Sequence, residues 1–265
     1  MAIAVDGIIT GGSVTSSRNE IWAESTANSA RNALNLEATT SAVNAALASG
    51  QYNEGDVTAT LTAPGTSVTA NGGNHNGTAI NLEDNVSVAL SRGNDAVNRL
   101  TAEGDVLTNS AGATATTDNT GLASAEGGFA VLNRQTNIDN EIASRITASG
   151  GNNVSITSGL VNGRVNVSGN QVVAEATANR TGNSIALNDA NGTAGSAALT
   201  SYQRNSGVTT VASITGVGNS INGGTGNSGG SSFNVTNNTV QARAVGNAGT
   251  NSNVTSLRSR NSLGL

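Results

Sequence analysis

Asn170-Gln171-Val172-Val173-Ala174-Glu175-Ala176-Thr177-Ala178-Asn179, with a further Asn at Asn183, is the stretch on which the reading of this chain turns. Its period is two: Val172, Ala174, Ala176 and Ala178 fall on one side of an extended strand, and Glu175 and Thr177 on the other. The same frame stands three more times. An Asn is followed by a second nine residues on and a third four residues after that at Asn19, Asn28 and Asn32, at Asn85, Asn94 and Asn98, and at Asn238, Asn247 and Asn251. Every copy has Ala at the fourth place after its first Asn (Ala23, Ala89, Ala174, Ala242). Every copy also has an apolar β-former at the fifth place before it (Val14, Ile80, Val165, Phe233).

The alternation recurs as Val240, Ala242 and Ala244 against Gln241 and Arg243, and as Ile21, Ala23, Ser25 and Ala27 against Glu20, Trp22 and Glu24. The copy at Asn85 departs from it, since Val86, Val88 and Leu90 occupy the side that should be polar; either its register differs or that strand is covered on both faces. Weaker frames lie between the strong ones. Asn140 with Ile142 and Asn153 is one, with Ser149 in the second Asn place. Asn109 with Ala113 and Asp118 is another, and Thr210 with Ile214 and Asn219 a third. Anchors at 85, 109, 140, 170, 210 and 238 predict a rung of about 30 residues, with insertions.

An eight-residue strand ending at an Asn, a four-residue corner, a second Asn and a short apolar strand (Leu34, Leu100, Ile185) describe a turn of a β-solenoid. The expectation is an all-β, β-helix-like single domain over residues 1–265, with irregular rungs and loop insertions near 48–78 and 216–232. An inner face of Ala, Val and Ser implies a thin core. The corner Asn residues suit left-handed backbone, and their amides, stacked rung on rung, can hydrogen-bond up the ladder. Over Asn28–Leu47 the alanines and leucines offer a short helix as the local competitor.

Composition bounds the function. Asn occurs 38 times and Gly 34 times, aromatic residues make up 2% and charged residues 11%. Leu, Ile, Val and Phe total 53, at the edge of the disordered range, but disorder goes with high net charge or abundant Pro, and here the net charge is −5 with Pro64 alone. All twelve basic residues are Arg, and they are scattered; with two Tyr and two Phe there is neither a basic patch nor a stacking platform for nucleic acid. Cys is absent, which excludes disulfides and thiolate chemistry. No apolar run approaches the ~18 residues of a membrane helix, and Ala2–Ile9 lacks the basic flank of a signal peptide.

Catalytic candidates are few. His75 is the one His, and Ala70–Thr78 reads as an Asn/Gly loop, so neither a standard zinc site nor a Ser–His–Asp triad has a second member in view. Glu20, Glu24, Asp56, Glu83, Asp84, Asp105, Asp139, Glu141 and Glu175 could pair as glycosidase acid and base, but no spacing singles out a pair. Gly223–Asn227 is similar to a calcium-binding nonapeptide, with Asn where Asp is needed and in one copy. The expectation is no enzyme, no cofactor and no metal.

Val167-Ser168-Gly169-Asn170 through Ala174, Ala176, Asn179 and Asn183, and Val235-Thr236-Asn237-Asn238 through Ala242, Ala244, Gly246, Asn247 and Asn251, resemble curlin-type repeats. They resemble still more the Ala/Asn alternations of bacterial surface proteins related to holdfast anchors. The motif covers about half of the chain, and it departs from curlin in its longer, irregular repeat and its scarcity of Gln. The resemblance implies export through an outer-membrane pore, β-solenoid or amyloid-like assembly, and attachment to surfaces or matrix polysaccharide. The functional expectation is an extracellular, cell-surface adhesin or fibre and matrix subunit that self-associates. The alternatives are a phage or trimeric fibre shaft, which would draw strands from several chains, and an ice-binding solenoid, which needs regular outward Thr pairs where Thr58, Thr60 and Thr62 are irregular.

Overall fold

The computed structural model describes residues 1–38, 44–104, 107, 113–117, 124–148, 151–189 and 196–257. Asp105, Asn109, Asp118 and Ser149 lie outside them. The described residues form 22 strands, numbered β1–β22 in chain order, with no helix among them. Sheet A is β1 (Ala2–Asp6), β6 (Ser67–Asn71), β14 (Asn152–Ile156) and β20 (Asn219–Asn222). Sheet B is the short pair β7 (His75–Asn76) and β15 (Leu160–Val161). Sheet C is β2 (Ser13–Ser17), β8 (Ala79–Glu83), β16 (Arg164–Ser168) and β21 (Ser232–Thr236). Sheet D is β3 (Glu20–Ala38), β9 (Val86–Gly104), β17 (Gln171–Asp189) and β22 (Thr239–Leu257). Sheet E is β4 (Ala45–Asn53), β12 (Phe129–Ile138) and β18 (Ala197–Ser206); sheet F is β5 (Val57–Thr62), β13 (Glu141–Thr147) and β19 (Thr209–Thr215). All six are parallel; only the hairpin β10 (Ala113–Thr116) with β11 (Ser124–Gly127) is antiparallel.

The chain therefore runs the same circuit, A to C to D to E to F, three times and then enters A, C and D a fourth time. Equivalent residues are 66, 85 and 68 residues apart, as Asn19, Asn85, Asn170 and Asn238 show. This corrects the expected rung of about 30 residues. The Asn frame marks sheet D alone; Thr210 lies in β19 of sheet F, paired with Ile142, and Asn140 stands just before β13 of the same sheet. The expected insertion near 48–78 is also corrected: β4 to β7 run through it, because its small β-formers pair with the strands of the next circuit. Residues 216–232 hold β20 and otherwise turns. Nor does a helix form in the described part of Asn28–Leu47, since parallel pairing on β9 and β12 claims its backbone.

The four-residue corner between the second and third Asn is absent as well. Each sheet D strand with its 19 residues runs straight through both, about 60 Å if fully extended. What changes is the face. Val172 and Ala174 are buried, then all four of Ala176, Thr177, Ala178 and Asn179, and thereafter Thr181, Asn183, Ile185 and Leu187 are. Across this run, where Ala178 drops out of the paired register, the parity of the buried residues reverses, as at a bulge. The first half packs on sheet F through Ala89, Val172, Ala174, Ile146 and Leu61. The second half packs on sheet E through Leu100, Ile185, Leu187, Phe129 and Val131. Sheets A and C close a separate core around Val68, Ile80, Leu82, Val154 and Val165, and Ala113 and Ala115 of β10 cover Ala130 and Leu132 on the far face of sheet E.

The register of the Asn85 copy is that of the others, with Glu20, Val86, Gln171 and Thr239 in one row. Its odd apolar face is explained by partial cover instead: Leu90 is only 9% exposed, between Glu24 and Glu175. The left-handed corner falls one residue earlier than expected. Arg18, Asp84, Gly169 and Asn237, each immediately before a first Asn, have φ of 55°, 55°, 67° and 55°. They turn the chain from sheet C into sheet D, leaving the Asn immediately before the sheet D strand with its amide directed along the stack.

Leu82 is fully buried in the sheet A and C core, and Val97 is 41% exposed on sheet D. Leu82→Ala should lower unfolding free energy by about 2–5 kcal/mol and Val97→Ala by less than about 1 kcal/mol, compared by urea midpoints at constant slope.

Candidate functional site: the amide ladders

The twelve Asn residues of the repeated frame stand in three files along sheet D. In the first, the Nδ2 of Asn19 donates to Oδ1 of Asn85 at 2.6 Å, Asn85 to Asn170 at 2.9 Å, and Asn170 to Asn238 at 2.8 Å. In the second, Asn28, Asn94, Asn179 and Asn247 are linked at 2.8, 2.9 and 2.9 Å. In the third, Asn32, Asn98, Asn183 and Asn251 are linked at 2.8, 2.9 and 3.0 Å. All nine bonds run the same way, from Nδ2 in one circuit to Oδ1 in the next. In the first file the Oδ1 also accepts the backbone N–H of the preceding Asn, as Asn85 does from Asn19 at 3.1 Å.

Sequence reasoning missed the facing partner of the second file. Sheet E carries Gln51-Tyr52-Asn53, Gln135-Thr136-Asn137 and Gln203-Arg204-Asn205 in register. Asn53 donates to Asn137 at 3.3 Å and Asn137 to Asn205 at 3.0 Å. The Gln amides form a parallel file, Gln203 to Gln135 at 2.8 Å and Gln135 to Gln51 at 2.7 Å, donating in the opposite sense. The two Asn files then interlock. Asn94 donates to Asn137 at 3.1 Å, Asn137 to Asn179 at 2.8 Å, Asn179 to Asn205 at 2.8 Å and Asn205 to Asn247 at 3.0 Å. This zigzag sits where sheet D reverses its face, so polar groups in the middle of the molecule are satisfied by one another. The signal was present as a Gln-x-Asn triplet recurring at intervals of 84 and 68 residues. A further file, Asn81, Asn166 and Asn234, links the outer face of sheet C at 2.9 and 3.0 Å.

His75 is not in a loop. It lies in β7, is fully buried, and accepts the backbone N–H of Ile9 on Nδ1 at 3.1 Å. Gly and Asn neighbours gave the loop reading, whereas register with Leu160 makes the segment a strand. His75 thus does for Ile9 what Asn85 does for Asn19. Among the carboxylates, Glu24 is paired with Arg92 at 2.7 Å, Glu175 with Arg243 at 3.7 Å, and Glu141 with Arg145. Asp56 accepts the backbone N–H of Glu141 at 2.7 Å. Asn227 spends its Oδ1 on the N–H of Leu160 in the neighbouring circuit at 2.8 Å. Among the described residues no three His, Asp or Glu side chains cluster as metal ligands would. A groove of about 750 Å³ beside sheet E is lined by Tyr52, Arg134, Thr117 and Arg204. The hydrogen bond from Tyr52 to Glu54 raises that phenol's pKa above its ordinary value.

Asn179→Leu removes an amide that accepts from Asn94 and Asn137 and donates to Asn205 and Asn247. It should destabilise by about 2–5 kcal/mol. The same change at Asn247, exposed on the last circuit, should cost about 1–2 kcal/mol, and at the exposed Asn35 next to nothing. Equal losses at all three, by chemical denaturation, would show that the files carry no stability. No family model, no curated protein and no solved structure matches the chain, so the ladders are the feature from which a function has to be read.

Proposed function

We propose that the chain is a single β-solenoid domain acting without catalysis as an adhesin or fibre subunit of a bacterial cell surface, by presenting and extending a long β-surface. The observation that carries this reading is the state of the two ends. Among the described residues, β1 to β5 are each bonded to a neighbour on one side only, and so are β18 to β22. A row of open N–H and C=O groups on so many strands at once is a template for further strands. Between the ends, the in-register return of the chain to the same sheets supports the solenoid, and the amide files give it rigidity. Export through an outer-membrane pore and contact with surface polysaccharide follow from the resemblance to curlin-like and holdfast-anchor-like proteins.

Negative-stain microscopy and sedimentation of purified protein over a dilution series should show assemblies that grow with concentration, and labelled protein should be retained on bacterial cells or their extracted polysaccharide. A chain that stays monomeric at the highest concentration and binds neither would overturn the proposal.

A further inference from the structure

The Asn files have a direction, and the two ends of the molecule are therefore different. In the first circuit, Oδ1 of Asn19, Asn28 and Asn32 accepts no hydrogen bond among the described residues, while each Nδ2 already donates to the second circuit. In the last circuit the reverse holds. Oδ1 of Asn238, Asn247 and Asn251 is occupied by the third circuit. An inner amide such as Asn170 uses both Nδ2 hydrogens, one on the carbonyl of Leu82 behind it at 3.0 Å and one on Asn238 ahead. Asn238 has the first of these, to Val167 at 2.8 Å, and among the described residues none ahead of it for the second. One end presents three acceptors and the other three donors, and both triplets have the same nine-plus-four spacing.

We infer that the partner of this surface is a second copy of the chain, seated with its first circuit on the last circuit of the one before, so that β3 adds to β22 in parallel and the three Asn files run on through the junction. The inference rests on the proposed self-association and fixes its polarity and register. Like ends cannot join this way, because they would set acceptor against acceptor or donor against donor. The side chains agree with the same register. Glu24, Leu90, Glu175 and Arg243 form one row, so Glu24 of an added copy comes next to Arg243, which is 57% exposed and already faces Glu175. Phe233 and Val240, 38% and 48% exposed on the last circuit, would be covered by the next copy's Val14 and Ile21, their row equivalents. Among the described residues, sheets E and F have three strands against four in A, C and D, so the junction is made by A, C and D, one row beyond the last described strands of E and F. Asn253, in the row of Ile185, replaces an apolar residue with a polar one where sheet D extends past those strands. The contact is heterologous and does not close on itself, which makes a filament.

The chain has no Cys, so engineered thiols report the junction cleanly. Residues 20 and 239 end the row Glu20, Val86, Gln171, Thr239 and are three strand spacings, about 14 Å, apart within one copy, too far for a disulfide. Across the proposed junction they are one spacing apart. Glu20→Cys and Thr239→Cys proteins, purified separately, mixed and oxidised with copper phenanthroline, should give a disulfide-linked dimer. The double variant should give a ladder of multimers on a non-reducing gel. Trp22→Cys, two residues out of register, should cross-link to Thr239→Cys at least tenfold more slowly. Concentration-dependent assembly with no preference for position 20 over 22 would overturn the inference and leave the fibre reading standing. Monomers that are still retained on cells would overturn it and leave the adhesin reading. Monomers that bind nothing would overturn both.

Discussion

Parallel stacking in strict register is the constraint on which this molecule depends, and the Asn amide is the group that enforces it. Sheets lined by Ala, Ser and Val have little to distinguish one register from the next, since sliding a small side chain past another costs little packing. An amide file is not so tolerant. A displaced strand would leave Asn94 and Asn179, both fully buried, facing methyl groups, and each unsatisfied buried polar group costs about 1–3 kcal/mol. With three files in sheet D and one in sheet E tied to the middle file, a slip anywhere breaks bonds in several rows at once. Register is thus specified by polar groups inside, and the apolar residues are free to be small.

That division explains what could be read in advance and what could not. The three files of sheet D were visible because their spacing is fixed within a continuous strand, and a strand admits no insertion. The length of the circuit was hidden because everything between one sheet D strand and the next is free to vary. The second interval is 85 residues against 66 and 68, and it includes the hairpin β10–β11. An average taken over weak frames at Asn140 and Thr210 mixed two sheets and halved the true period. Sheet E escaped notice since its Asn is preceded by Gln rather than followed by another Asn at a set distance. The corner residues escaped because only their backbone is constrained: Arg18, Asp84, Gly169 and Asn237 share φ and nothing else.

His75 illustrates the same point for function. As an isolated His in a Gly- and Asn-rich stretch it invited a search for catalytic partners. In the fold it occupies a row position between Ile9 and Leu160, accepting a backbone N–H as an Asn does elsewhere. Of the carboxylates, Glu24 and Glu175 are paired with arginines of a neighbouring circuit and Glu141 with one of its own strand. Residue type alone pointed toward chemistry; row position shows that His75, Glu24 and Glu175 each bond to a neighbouring circuit.

The composition, poor in charge and aromatics and rich in Asn and Gly, follows from stacking rather than from any tendency to disorder. Residues one circuit apart lie about 4.8 Å from each other, so whatever occupies a row meets its own equivalent. A charge repeated up a row repels itself; one row separates Glu24 from Glu175 by Leu90 and sets Arg243 beside Glu175, while in another Glu37 stands beside Glu103. A carboxylate accepts and does not donate, a guanidinium donates and does not accept, and neither can bond to a copy of itself. An amide does both. Asn is the shorter of the two amide side chains, short enough to lie along the strand and keep the sheets close, and Gly is required where one circuit's backbone presses on another. At Gly93 a β-carbon would stand 2.5 Å from the carbonyl oxygen of Ala178 and 2.6 Å from Oδ1 of Asn137, inside the crossing of the ladders. A self-complementary polar group repeated in a row has no natural last member, and the molecule's two unlike ends are the consequence.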